Sequence, residues 1–255
     1  MPPKSTPAAP VAAEKATPAG ERIAKVLSRA GIASRREAER LIEIGEVAVN
    51  GKVITSPALN VTGSDKITVG GKPVAAAEPA RLWLYYKPEG LVTSESDEKG
   101  RQTVFETLPE DMPRVMSVGR LDLNSEGLLL LTNDGDLTFR ATHPSFGLEK
   151  TYIIEFDGKL PTGVDKVLLK GIELEDGMGR VLDFKHLSPQ WIEVTIHEGR
   201  YHIIRRLMEA VGVDVLRLIR TKFGPISLGE TLEGRWRDLN SAELISLQTA
   251  LDIKP

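Results

Sequence analysis

The sequence predicts an α+β protein in two folded units. The first is a small unit of a helix pair with short strands; the second is a larger unit built on a mixed or antiparallel sheet. Three observations predict this. At 255 residues the chain suits a small domain joined to a medium one, and 41% hydrophobic against 27% charged residues can bury a core. Proline- and alanine-containing stretches at 1–20 and 74–80 bracket a segment whose apolar residues first recur at helical spacing and then mark short strands. From residue 81 onward, strand-like and helix-like segments mix without regular strand–helix–strand alternation, which argues against a doubly wound parallel sheet.

Each element has its own local reason. Residues 1–20 contain five Pro, six Ala and no aromatic residue, too little apolar area to offset ordering entropy, so a disordered tail is expected there. Ile23, Val26, Leu27 and Ala30 share a helical face that Gly31 closes. Ser34-Arg35-Arg36-Glu37 is a capping-box pattern opening a second helix, with Ala38, Leu41 and Ile42 inward, that stops at Gly45. Asn50-Gly51 tolerates the positive φ angles of a type I′ turn and so predicts a hairpin; Ile67 to Val69 adds a strand. The first domain thus spans 21–73, a linker 74–80, and the second domain 81–251. In that second domain strands are expected at 82–86, 115–121, 128–131, 152–156, 181–184, 191–196 and 215–219, with helices at 137–142 and 203–211. The glycine-punctuated stretch around Gly158, Gly163, Gly171, Gly177 and Gly179 reads as loop.

Composition excludes several functions. There is no cysteine, hence no disulfide, Cys-based zinc site or Cys nucleophile, which fits a cytoplasmic setting. The longest apolar run is Leu128 to Leu131, far short of a membrane span, and the N-terminus lacks the apolar run of a secretory signal. A formal net charge of −3 means that any nucleic-acid binding must come from local basic surfaces. One such surface lies in residues 21–42, where Arg22, Lys25, Arg29, Arg35, Arg36 and Arg40 face three Glu. A second lies in residues 199–222, which hold six Lys or Arg, among them Arg200, Arg205 and Arg206. The four histidines show no ligand spacing, so no metal is expected.

The densest polar segment is Ser117-Val-Gly-Arg-Leu-Asp-Leu-Asn-Ser-Glu-Gly127, in which a buried strand delivers Arg120 and Asp122 into a turn before an apolar strand. A carboxylate there sits beside apolar walls that strengthen any charge interaction, and Arg120 can either hold it ionised or clamp a phosphate. Calcium is a poor alternative: Asp122, Asn124, Glu126 and Gly127 fit an EF-hand loop, but its twelfth position would be Asn133, which lacks the bidentate carboxylate.

Read whole, residues 21–73 resemble the small RNA-binding domain first described in ribosomal protein S-four, whose helix pair and following turn present basic residues, here with Lys52 of Val-Asn-Gly-Lys, to structured RNA. The second unit resembles the RsuA/RluB family of pseudouridine synthases that act on ribosomal RNA. The resemblance is carried by the 117–136 segment, Lys87-Pro88-Glu89-Gly90, Gly100-Arg-Gln-Thr-Val-Phe105, Lys150-Thr-Tyr152, Glu198-Gly-Arg-Tyr-His-Ile-Ile-Arg-Arg-Leu207, Arg217-Leu-Ile-Arg220 and Phe223-Gly-Pro-Ile-Ser-Leu228. It implies isomerisation of a uridine to pseudouridine without a cofactor, by a monomer. It implies Asp122 as the reacting carboxylate, Tyr152 as the plate for the flipped base, Arg205 as the cation paired with Asp122, and Arg200, His202 and Arg206 on the RNA. Tyr201-His202 looks like the small-subunit branch of the family. The 87–136 motifs look like the RluB branch, and the resemblance favours large-subunit RNA. Rival readings are a non-catalytic RNA-binding assembly factor, and a base-releasing hydrolase with Glu126 positioning water.

Overall fold

The computed structural model describes residues 20–76 and 78–253. The expected disordered tail, apart from Gly20, lies outside the described residues. The chain divides into two compact units between Glu78 and Pro79.

The first unit runs β1 (Glu21–Arg22), α1 (Ile23–Arg29), α2 (Arg35–Glu43), β2 (Val47–Val49), β3 (Lys52–Val53), β4 (Asn60–Val61), β5 (Ile67–Val69) and β6 (Lys72–Pro73). Its core gathers Ile23, Ala24 and Leu27 of α1 with Ala38 and Ile42 of α2, Val47 and Val61. The Asn50-Gly51 turn joins β2 to β3, with both residues at positive φ (51° and 79°). The capping box forms only in half. Ser34 Oγ accepts from the Glu37 N–H at 3.2 Å, but the Glu37 carboxylate turns outward to Arg40, whose guanidinium offers it two charged N–H groups instead of one neutral one.

The second unit runs β7 (Leu82–Lys87), a 3-10 turn (Phe105–Thr107), β8 (Met116–Val118), β9 (Glu126–Thr132), α3 (Gly135–Thr142), β10 (Lys150–Phe156), α4 (Val164–Lys170), β11 (Ile172–Leu174), β12 (Gly177–Gly179), β13 (Asp183–Ser188), β14 (Trp191–Ile196), α5 (Ile203–Ala210), β15 (Val215–Phe223), β16 (Ile226–Ser227), β17 (Trp236–Asp238) and α6 (Ser241–Ala250). The stretch expected as loop therefore holds α4 and the β11–β12 hairpin. The main sheet has the order β13-β14-β10-β15-β9-β7-β17, with β16 on β15 and β8 on β9. All its pairs are antiparallel except β15 with β9, so the sheet is mixed. Leu128 to Leu131 of β9 are each wholly buried, and they alternate: Leu129 and Leu131 join the core on one face, Leu128 and Leu130 the core on the other. A strand buried on both faces needs this continuous apolar run. Each such leucine contributes roughly 1.5–3 kcal/mol of transfer free energy.

Gly127 is where β9 meets β15. Its φ is +100°, and a Cβ there would lie 2.4 Å from the Arg220 carbonyl oxygen. Only glycine allows this approach, which places the turn preceding β9 against the middle of β15.

Candidate active site

The turn between β8 and β9, residues 119–125, is held at every carbonyl from 120 to 125. Arg220 Nη1 donates to Arg120 O (3.4 Å), Thr93 Oγ1 to Leu121 O (2.8 Å), and the Ser125 N–H to Asp122 O (3.1 Å). The Gly90 N–H donates to Leu123 O (2.9 Å), Arg205 Nη2 to Asn124 O (2.5 Å), and Lys87 Nζ to Ser125 O (2.8 Å). Three cations and a threonine thus fix the backbone under Asp122. Lys87 is fully buried, and its further bonds go to the carbonyls of Pro88 and Leu123. Burial pushes its ammonium down to about 8, opposed chiefly by the attraction of Asp122.

A cavity of about 550 Å³ opens above this turn, lined by Arg120, Asp122, Ser125, Lys150, Tyr152 and Arg220 among others. The Asp122 side chain is 38% exposed, and His202 Nε2 lies 3.7 Å from its carboxylate. His202 stands at φ 49° just before α5, a left-handed conformation costing roughly 1–2 kcal/mol in a non-glycine residue. The ring of exposed Tyr201 stacks on it, 3.8 Å between centroids. Tyr152, on β10, is 8% exposed; it lines the cavity and belongs to the core. Arg120 is exposed at the cavity edge, and its guanidinium has no partner among the described residues. No group of three or more His, Cys, Asp or Glu among the described residues could hold a metal ion.

Arg205 does not pair with Asp122. It lies on the flank of α5, whose inward face is taken by Ile203, Ile204, Leu207 and Met208, and its guanidinium is spent on the carbonyls of Asn124 and Val215. Arg220, which does line the cavity, is only 2% exposed, at an inward-facing position of β15. Arg200 and Arg206 converge on Asp176 of the β11–β12 turn, and Arg200 also binds Glu198. Asp176 is held down at about 2 by these arginines. These two cations are therefore locked in a brace between α5 and the hairpin rather than offered free to RNA.

The first unit's basic face is partly self-neutralised in the same way. Lys25 and Arg29 share Glu21 (3.0 and 2.7 Å), Arg40 pairs with Glu37 (2.7 Å), and Arg22 donates to the Ala58 carbonyl. Arg35, Arg36 and Lys52 stand exposed. Glu126, the hydrolase candidate, is not available to water. Arg217 grips both its oxygens at 2.9 Å, and Tyr86 donates a third bond at 3.0 Å.

A deeply held carboxylate turn, a buried tyrosine plate and a basic cavity in a mixed sheet define an enzyme acting on a polyanionic substrate. The comparisons name its class. Residues 81–210 match the family of RNA pseudouridylate synthases and residues 21–67 match the S4 domain. The chain belongs to the RNA pseudouridine synthase family. It is 40% identical to "Ribosomal large subunit pseudouridine synthase B" of Bacillus subtilis (strain 168), over 91% of this chain and 97% of that protein. It is 41% identical to the protein of the same name from Salmonella typhi, over 92% of this chain and 84% of that one. A solved "pseudouridylate synthase" shares the fold with a TM-score of 0.65 at 27% identity, covering 89% of this chain and all of the other.

Proposed function

We propose that this protein isomerises a uridine in large-subunit ribosomal RNA to pseudouridine, as a cytoplasmic monomer and without a cofactor. The observation that carries the reading is the placement of Asp122, Tyr152 and Arg120 around one cavity in a chain of this family. Its relatives' names point to large-subunit RNA. Among the described residues no helix is long and apolar enough to cross a membrane.

The chemistry requires a carboxylate beside ribose and base. The target uridine leaves its stack and lies against Tyr152. Two routes are open to Asp122: attack on C1′, or removal of the C2′ proton. Both break the N1–C1′ bond with its electron pair entering the base. The base then turns. On the first route C5 bonds to C1′ and displaces the Asp122 carboxylate; on the second C5 bonds to C1′ while Asp122 returns its proton to C2′; on both the C5 proton then leaves and N1 regains one. Arg120, unpaired at the cavity edge, meets an RNA phosphate. Arg205 acts on Asp122 through the backbone it braces and not by pairing with the carboxylate. The exposed cations Arg35, Arg36 and Lys52 of the first unit grip phosphates of surrounding RNA, and Lys25, Arg29 and Arg40 join them by exchanging their solvent-exposed Glu21 and Glu37 partners for phosphate.

The test is pseudouridine mapping across both ribosomal RNAs from cells lacking the gene and from cells complemented with it. One large-subunit uridine should lose and regain its isomerisation. A map identical in all strains, or a change confined to small-subunit RNA, contradicts the reading.

A further inference from the structure

The mechanism above leaves one cluster unused. Arg220 and Lys150 both line the cavity, and neither has a carboxylate partner among the described residues. Arg220 Nε donates to Leu128 O (2.8 Å) and Nη1 to Arg120 O (3.4 Å), while Nη2 is buried without a hydrogen-bond partner among the described residues. Lys150 Nζ donates to the carbonyls of Leu148 (3.0 Å) and His197 (3.4 Å), leaving a third proton free. Both cations lie over the ring of Phe223, at 5.3 and 5.6 Å from its centroid, so they are neighbours. Burial, and then repulsion by Arg220, push the Lys150 ammonium down to about 8. A second orphan belongs to another cavity-lining residue: the buried Ser125 hydroxyl, on the turn that carries Asp122, also has no partner among the described residues. Buried polar groups left unpaired in a folded protein call for an explanation, and in a cavity that explanation is a ligand rich in oxygen.

The strand register says which ligand atoms come near. Tyr152 of β10 is the direct cross-strand partner of Arg220 on β15, and Lys150 is that of Phe223. Directly opposed side chains lie roughly 5 Å apart on one face of a sheet. A base stacked on Tyr152 therefore lies beside Arg220, with Lys150 two residues along the same strand. A phosphate would have to shed its hydration to reach an arginine 2% exposed, whereas Arg120 offers one a hydrated site at the edge.

We propose that Arg220, with Lys150, holds the negative charge that the uracil ring takes up when the N1–C1′ bond breaks. This rests on the function proposed above. The electron pair of the broken bond enters N1 and spreads to O2 and O4, where fixed donors in a dry site stabilise it. Both routes open to Asp122 produce this anion. The charge is later consumed as C5 bonds to C1′, and no outside reagent is needed.

The test uses the full-length protein and unmodified large-subunit ribosomal RNA transcribed in vitro, once with uridine and once with 5-fluorouridine, whose ring is the better anion. Single-turnover rates of glycosidic isomerisation at saturating RNA are read by chromatography of the digested nucleosides, beside binding and melting curves. Arg220→Gln should slow the uridine reaction about 100-fold with binding little changed, and the loss should shrink to about 10-fold or less on 5-fluorouridine. Lys150→Gln should show the same narrowing from a smaller loss, and Arg220→Lys, which keeps a charge, should recover part of the rate. Should Arg220→Gln fail to fold, the Lys150→Gln and Arg220→Lys comparisons carry the test. An equal loss on both substrates, or a loss confined to binding with a flatter salt dependence, overturns the proposal. If the wild-type protein isomerises neither transcript, the proposed function falls with it.

Discussion

Replacing Gly127 with Ala tests whether the close seating of β9 on β15 builds the site. The added methyl would lie 2.4 Å from the Arg220 carbonyl oxygen and 2.8 Å from its nitrogen, both backbone atoms that cannot swing aside. The φ of +100° adds a conformational cost to any side chain. That strain is roughly 1–2 kcal/mol, and overpacking against backbone adds about 1–3 kcal/mol. The variant should therefore lose about 2–5 kcal/mol of stability. At roughly 2–4 °C per kcal/mol for a domain of this size, the catalytic domain should melt on the order of 10 °C lower. Strand β15 must also move outward, carrying Arg220 away from the turn it braces, so the single-turnover rate measured well below the new melting temperature should fall by at least tenfold. Urea unfolding and single-turnover kinetics read the two effects. A stability loss under 0.5 kcal/mol, or an unchanged rate, would show that the two strands tolerate separation and that their close seating does not build the site.

Other expectations concern charge. Removing Arg35 and Arg36 together should flatten the log–log salt dependence of RNA binding by roughly 1.5 while leaving the single-turnover rate at saturation intact; an unchanged slope contradicts a phosphate grip. Lys150, lowered to about 8, is charged below that pH and neutral above it, so the rate should fall as pH rises through about 8. Lys150→Arg, which stays charged, should abolish that fall; identical profiles for the two proteins would exclude Lys150 as the titrating group. Glu126→Gln breaks a bidentate pair whose Arg217 side is 44% exposed, so the loss is discounted to about 1–2 kcal/mol. Its rate should stay within threefold, and an inactive but folded variant would restore Glu126 as a chemical group.

The sequence made much of this legible where local signals are strong. The apolar–polar alternation of Ile192-Glu193-Val194-Thr195-Ile196 marks the strand Trp191–Ile196, and the Asn50-Gly51 pair marks its hairpin. Asp122 and Tyr152 were reached through motif resemblance, and both line the cavity. The arginines were harder. Whether Arg205 or Arg220 faces the cavity depends on the start of α5 at a left-handed His202 and on a register shift in β10–β15 between Thr151 and Tyr152. Neither leaves a mark in residue spacing. A readable clue did exist, since an arginine two places after inward Leu218 on a strand falls on the buried face. The elements α4, β11 and β12 are three to seven residues long and glycine-flanked, too short for periodicity to rise above the turn signal. Helix α6 carried a readable cap in Asn240 and Glu243 that no expectation used.

Asp122 is proposed to perform the chemistry while the rest of the protein holds substrate and turn in place. Asp122→Asn keeps the size of the side chain and the backbone bonds that fix the turn, and removes only the ionisable oxygen. Single-turnover conversion of unmodified large-subunit ribosomal RNA should fall by at least about a thousandfold, the scale expected when a positioned acid–base or nucleophilic group is lost. RNA affinity and melting temperature should remain close to those of the wild-type protein. A folded Asp122→Asn protein that forms pseudouridine at a rate within tenfold of wild type would contradict the account.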